Sequence, residues 1–162
     1  MLRDNEGWPV SSGEETLPGL ELRPATWDDY EFLWRLVRTT MRQHVERLWP
    51  WDDAWQKQYF RLRFDPAQKR VVVLYGEDIG VMTTERKEDE LYLSELYIMP
   101  DYQRLGIGTY LLNELLAEAA RQGLPVALRV LKGNPAQRFY ERLGFRTVDE
   151  SETHYMMRGC KA

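Results

Sequence analysis

A single cysteine, Cys160, among 162 residues leaves no intramolecular disulfide framework to form, and that scarcity fits a reducing cytoplasm. Long apolar runs are missing too. The longest, Val71–Tyr75, falls far short of the roughly 18 residues that a bilayer span needs. No secretory leader is expected, because Met1–Val10 interleaves Arg3, Asp4 and Glu6 where a leader would be basic and then apolar. Basic charge is not in excess: 26 acidic against 22 basic side chains give a net charge of −4. A long nucleic-acid duplex, which requires clustered Lys and Arg, is therefore not an expected partner, and neither is a membrane. What remains, 43% hydrophobic and 30% charged residues, is the composition of a soluble globular chain of one domain.

Residues 1–18 carry Gly7, Pro9, Gly13 and Pro18 with few periodic apolar positions, and read as a flexible tail that Trp8 alone would pin. A strand over Leu20–Arg23 is broken by Pro24. Thr26 with Asp29 three residues on resembles a capping box, opening a helix whose apolar stripe is Tyr30, Leu33, Trp34, Val37 and Met41. Asp52 or Asp53 caps a second helix with Trp55, Tyr59 and Leu62 as its stripe, ending before Pro66. Strand formers then fill Val71–Tyr75, Ile79–Thr84 and Leu91–Met99, with a turn at Gly76-Glu77-Asp78. A helix from near Gly106 to Gly123, a strand over Pro125–Leu131, a short helix over Pro135–Leu143 and strands at Phe145–Asp149 and Thr153–Met157 complete the chain. The order predicts a mixed α/β sheet of six or seven strands flanked by about four helices, with no internal repeat.

The loop Gln103-Arg104-Leu105-Gly106-Ile107-Gly108 joins a strand to a helix. A helix N-terminus presents unpaired N–H groups and partial positive charge, which suits a phosphate or diphosphate. Glycines at 106 and 108 carry no Cβ to hold an anion away, and Arg104 adds a formal charge. The loop lacks the third Gly of a dinucleotide fingerprint, since Leu111 stands there, and it lacks the Gly-Lys-Ser/Thr of a P-loop. Two glycines opening a helix serve equally to turn the chain. In the second informative segment, Asn134 precedes a short helix carrying Phe139-Tyr140 and ends at Gly144-Phe145. Taken alone, that is an Asn-Pro turn, a core aromatic and a helix stop.

In this order and spacing, Tyr97-Ile98-Met99-Pro100, Gln103-x-x-Gly106-x-Gly108, Asn134 and Phe139-Tyr140 resemble the GNAT superfamily of N-acetyltransferases. The likeness covers about residues 19–158, and its specific part is 91–145. It implies one GNAT domain over 19–162, with a mostly antiparallel mixed sheet splayed between its fourth and fifth strands. It implies acetyl-CoA as co-substrate and no metal. Backbone of Tyr97 and Ile98 would face the pantetheine arm, as in strand addition. Gln103, Arg104, Leu105, Gly106, Ile107, Gly108 and Thr109 would form the diphosphate loop, and Asn134 would touch the arm.

The chemistry asks for a neutral amine, donors for a developing oxyanion and an acid for the leaving thiolate. Tyr140 matches the family's acid, a phenol protonated at neutral pH. Glu95, on the strand beside the cleft, is the candidate base; strict alternation sets it opposite Tyr92, and a bulge would exchange the two. His154, on a late strand, is another candidate. Cys160 lies too near the end for an acyl-enzyme, which favours direct transfer in a ternary complex.

All six tryptophans lie in the first 55 residues. The connection between the first two helices holds His44, Glu46, Trp49, Trp51, Asp52 and Asp53, a region that in this family shapes the acceptor pocket. Aromatic faces beside carboxylates suit a cationic amine; alternatively Trp34 and Trp55 are core, and Trp49 and Trp51 cover a helix junction. The expected function is acetyl transfer to a primary amine of a small molecule or peptide, by a cytoplasmic monomer or homodimer. The alternatives are an acetyl-CoA-binding sensor without turnover, and transfer of a longer acyl group.

Overall fold

The structure is a computed structural model and describes residues 17–161. The expected tail, Trp8 included, lies outside the described residues apart from Leu17 and Pro18. Two compact units divide the chain: Pro18–Thr83 with Glu95–Gln103, and Thr84–Ser94 with residues 104–161.

The first unit opens with β1 (Leu20–Pro24), followed by a Thr26-capped 3-10 turn, Trp27–Asp29, in which the capping box is closed in both directions. Helix α1 (Tyr30–Val45) buries Leu33, Trp34 and Leu36 and leaves Tyr30, Val37 and Met41 half-buried, so the stripe centres closer to Leu36 than periodicity predicts. Asp52 caps α2 (Asp53–Arg63) by accepting from the Trp55 N–H. The expected stripe of α2 is outside: Trp55, Tyr59 and Leu62 are 57%, 45% and 74% exposed. Phe60 and Phe64, one turn apart, take the inward face and pack against Tyr30, with centroids 5.3 Å apart in both cases. Trp55 is accordingly not core; it stacks on Tyr59 at 5.1 Å.

β2 (Lys69–Leu74) pairs antiparallel with β1 and with β3 (Glu77–Arg86). Their turn sits at Tyr75-Gly76, one residue earlier than predicted, and both residues have positive φ, the signature of a two-residue primed hairpin. β4 (Leu91–Ile98) stops one residue short of the expected Met99, and Pro100 opens a 3-10 turn, Pro100–Tyr102. Leu33, Leu36, Phe64 and Val81 form one buried cluster of this unit.

In the second unit α3 (Ile107–Arg121) buries Leu111, Leu112, Leu115 and Leu116. β5 (Val126–Leu131), α4 (Ala136–Arg142), β6 (Arg146–Glu150) and β7 (His154–Gly159) follow. The sheet is seven-stranded, in the order β1-β2-β3-β4-β5-β7-β6. Its parallel pair joins Leu91, Tyr92 and Leu93 of β4 to Val126, Ala127 and Leu128 of β5. Pairing stops there, although β4 runs on to Ile98 and β5 to Leu131. This is the interruption that the fourth and fifth strands were expected to show. No helix among the described residues is long and apolar enough to cross a membrane.

Candidate functional site

In the second unit, the entry to α3 is shaped by two residues in the left-handed region, Arg104 (φ 65°) and Gly106 (φ 87°). A Cβ added at Gly106 would meet nothing within 4 Å, so what requires glycine is the backbone turn and not crowding. Gly108 has a different reason: its Cβ would lie 3.3 Å from the Phe139 ring of α4. The first intrahelical bond runs from the Tyr110 N–H to the Gly106 carbonyl, 3.0 Å. The amides of Ile107, Gly108 and Thr109 thus have no acceptor within the helix. Ile107 is buried, while Arg104, Leu105 and Thr109 are exposed. A concave turn, three free amides and one exposed guanidinium are what a diphosphate needs.

Asn134 bends the chain into α4, its Oδ1 accepting the Ala136 N–H at 2.9 Å, which leaves the Nδ2 group to donate elsewhere. At the other end of α4 the N–H groups of Gly144 and Phe145 bond the carbonyls of Glu141 and Tyr140 at 3.0 and 3.1 Å. These are the paired bonds of a Schellman stop, and the accompanying apolar contact is Phe145 edge-on to Tyr140 at 5.7 Å. Tyr140 is buried, and burial pushes its phenol up to about 12. It stays a proton donor across the physiological range. His154 lies on β7 in this unit, its Nδ1 2.8 Å from the Thr153 hydroxyl, and burial then Arg129 lower its pKa.

In the first unit, a cavity of about 290 Å³ is walled by α1, α2, Lys69 and the end of β4. Trp34, Trp51, Tyr59, Phe60, Phe64 and Tyr97 give it an aromatic interior. Glu95 enters from β4, half-buried, and its Oε1 accepts from Lys69 Nζ at 2.6 Å and from the Thr83 hydroxyl at 2.7 Å. Tyr97, two residues on, lines the same cavity, as strand alternation requires. Ile98 is buried, and its carbonyl accepts from Gln103 Nε2 at 2.8 Å, so the Gln103 side chain holds the turn after β4.

Of the connection residues, only Trp51 lines the cavity. Its indole N–H donates to Asp53 at 3.0 Å, and the Arg42 guanidinium lies 5.8 Å from its ring centroid. Arg42 also pairs with Glu46 at 3.0 Å, and Arg38 with Asp53 at 2.7 Å. Of the aromatic and acidic groups expected to receive a cation, Glu46, Asp53 and Trp51 are therefore engaged by the chain's own arginines, while Asp52 caps α2 through the Trp55 N–H. Trp49 is 47% exposed. His44 has an Nδ1 sealed from solvent without a partner among the described residues, and burial lowers its pKa. Lys69 and Arg63 at the cavity, and Thr83 beside Glu95, lie outside the residues expected from sequence. A basic residue heading the apolar run Val71–Tyr75 was the available signal for Lys69. Among the described residues no group of three or more His, Cys, Asp or Glu side chains gathers as a metal site.

A family model described as the acetyltransferase (GNAT) family matches residues 24–145. The human cysteine-rich protein 2-binding protein is 38% identical over 82 residues, 49% of this chain and 10% of its own length. The [ribosomal protein bS18]-alanine N-acetyltransferase of Haemophilus influenzae is 33% identical over 78 residues, 48% of this chain and 53% of that enzyme. The chain thus spans about half or less of these curated relatives. Among solved structures, the PaiA N-acetyltransferase of Thermoplasma acidophilum, in complex with coenzyme A, aligns over 87% of this chain and 98% of its own at a TM-score of 0.72. At 18% identity that likeness speaks to the fold.

Proposed function

This chain belongs to the acetyltransferase (GNAT) family of acyl-CoA-dependent N-acyltransferases, and from that premise we propose that it acetylates a primary amine of a small molecule or peptide, by direct transfer from acetyl-CoA in a ternary complex. The observation that carries the proposal is the α3 entry. The free amides of Ile107, Gly108 and Thr109 and the side chain of Arg104 hold the diphosphate in this reading, and Nδ2 of Asn134 and the backbone of Tyr97 and Ile98 hold the pantetheine arm. The co-substrate supplies an activated acetyl thioester. Glu95 takes the proton from the incoming ammonium, whose solution pKa is about 10 for an alkylamine. Tyr140, kept protonated by burial, gives its proton to the departing sulfur. The amine class draws support from the Haemophilus relative, named for acetylating an alanine of a ribosomal protein. The same reading takes residues 19–162 as one domain working in the cytoplasm.

A second reading, an acetyl-CoA-binding sensor without turnover, rests on the Glu95 carboxylate being engaged by Lys69 and Thr83. One series of measurements decides. Calorimetric titration with acetyl-CoA, with NADH and ATP as controls, should show selective binding. Ligand at about 100 times its dissociation constant should stabilise the fold by roughly 2.7 kcal/mol. CoA release with an amine panel then selects the enzyme over the sensor. Absence of acetyl-CoA binding overturns both.

A further inference from the structure

We infer that the cavity of the first unit receives an amine that also carries a carboxylate on a single-ring aromatic body, as a free aromatic amino acid does. The inference rests on the proposed function in taking this cavity as the acceptor site. Three observations carry it.

The first is size and lining. About 290 Å³ lies at the small end of the roughly 300–1,000 Å³ typical of small-molecule sites, on the scale of a one-ring compound. Most of its lining residues are aromatic or aliphatic, with Gln56, Arg63, Lys69 and Glu95 among them, so a body that is largely apolar is what gains from entry.

The second is charge. The charged side chains lining the cavity are Arg63, Lys69 and Glu95, a formal balance of one positive charge. Lys69 already compensates Glu95 at 2.6 Å. Arg63 has no carboxylate partner among the described residues and lies with its guanidinium 4.7 Å from the Tyr59 ring centroid. A planar guanidinium held over an aromatic face keeps its N–H edge for a carboxylate, which it can bind in bidentate fashion. A bare cationic amine would instead enter a site whose net charge repels it.

The third is the fate of the groups that would have welcomed a simple cation. Glu46 and Asp53 are paired with Arg42 and Arg38, and the Trp51 ring is covered by Arg42. Asp52 accepts the Trp55 N–H as the cap of α2. The uncompensated charge at the cavity is positive.

The test uses the purified protein and four probes: L-phenylalanine, 3-phenylpropionate (carboxylate without amine), phenethylamine (amine without carboxylate) and L-alanine (both head groups without the ring). Direct titration without acetyl-CoA should give L-phenylalanine and 3-phenylpropionate dissociation constants at least about tenfold below those of phenethylamine and L-alanine. Arg63→Gln should erase the preference over phenethylamine, and Arg63→Lys should restore part of it. Arg63 is surface-exposed, so these variants should keep the fold. Phenethylamine binding as tightly as phenylpropionate, L-alanine matching L-phenylalanine, or a preference unchanged in Arg63→Gln would each overturn the inference. Acetyl transfer is scored separately: probes that bind in this order but are never acetylated leave the inference standing and remove the acetyltransferase reading of the site.

Discussion

Lys69 Nζ lies 2.6 Å from Glu95 Oε1, and both side chains are largely withdrawn from solvent, 13% and 22% exposed. The pair is held by strand register, with Thr83 of β3 adding its hydroxyl to the same oxygen at 2.7 Å. In the proposed reaction, a carboxylate fixed this way is oriented before the amine arrives. Glu95→Gln should lower turnover by about 10²–10⁴-fold, the usual contribution of a general base, while acetyl-CoA binds with near-normal affinity. Steady-state kinetics beside calorimetry checks this. Turnover unchanged in Glu95→Gln would assign the base elsewhere.

Tyr140 makes a prediction with two independent readouts. Tyr140→Phe should reduce turnover by about 10²-fold or more without weakening acetyl-CoA binding appreciably. Its raised pKa also has a stability consequence. Because the folded phenol ionises near 12 and an unfolded one near 10, the stabilisation is fully present below pH 10 and lost as pH rises toward 12. The loss should amount to roughly 2–3 kcal/mol across that window. Urea unfolding at pH 9 and pH 12 should show the extra loss in the wild type and not in Tyr140→Phe. Equal losses in the two proteins would place the phenol in a solvated environment.

The parts of the site legible in the sequence are those whose geometry is local. Asn134 and Gly144 bracket α4 through bonds that span only a few residues, and Pro100 and Gly106 punctuate the chain on either side of the loop. Such signals survive in a one-dimensional reading because the partner is near in sequence. The Lys69–Thr83–Glu95 cluster is different. Its members are separated by more than ten residues each and meet only through the pairing of strands, so no spacing announces them. Helix α2 shows the remaining difficulty. Trp55, Tyr59 and Leu62 form as good an apolar stripe as Phe60 and Phe64, and periodicity does not choose between them; aromatic packing against Tyr30 and Trp34 does.

The two glycines of the α3 entry should respond differently to substitution. Gly106→Ala meets no atom but must hold a left-handed backbone, at a cost of about 1–2 kcal/mol. Gly108→Ala needs only a few tenths of an ångström from the Phe139 ring, and Phe139→Leu should relieve it. Neither alanine variant should abolish acetyl-CoA binding, because the amides of Ile107 and Thr109 remain. Gly108→Trp should abolish it by filling the cradle. Circular dichroism establishes that each variant folds, and normal acetyl-CoA affinity in a folded Gly108→Trp would exclude the loop as the diphosphate site.

Acid stability should depend on Asp29. Arg23 clamps its carboxylate with bonds of 2.8 and 3.0 Å, and the Thr26 N–H adds a third at 2.8 Å. The Arg23 guanidinium, followed by the Thr26 amide, holds the Asp29 carboxyl below the ordinary value of 3.8. A depressed carboxyl contributes stability that is fully present above its unfolded pKa and lost as pH falls through the folded one, so the loss belongs below about pH 4. Asp29→Asn should cost about 1–3 kcal/mol at pH 7, because Arg23 and the Thr26 N–H at the head of the 3-10 turn both lose a charged acceptor. The variant's unfolding free energy should then fall less steeply than the wild type's between pH 4 and pH 2. Denaturant melts across that range measure both effects. Parallel acid limbs in the two proteins would mean that Asp29 titrates alike folded and unfolded, and that the clamp contributes packing without charge.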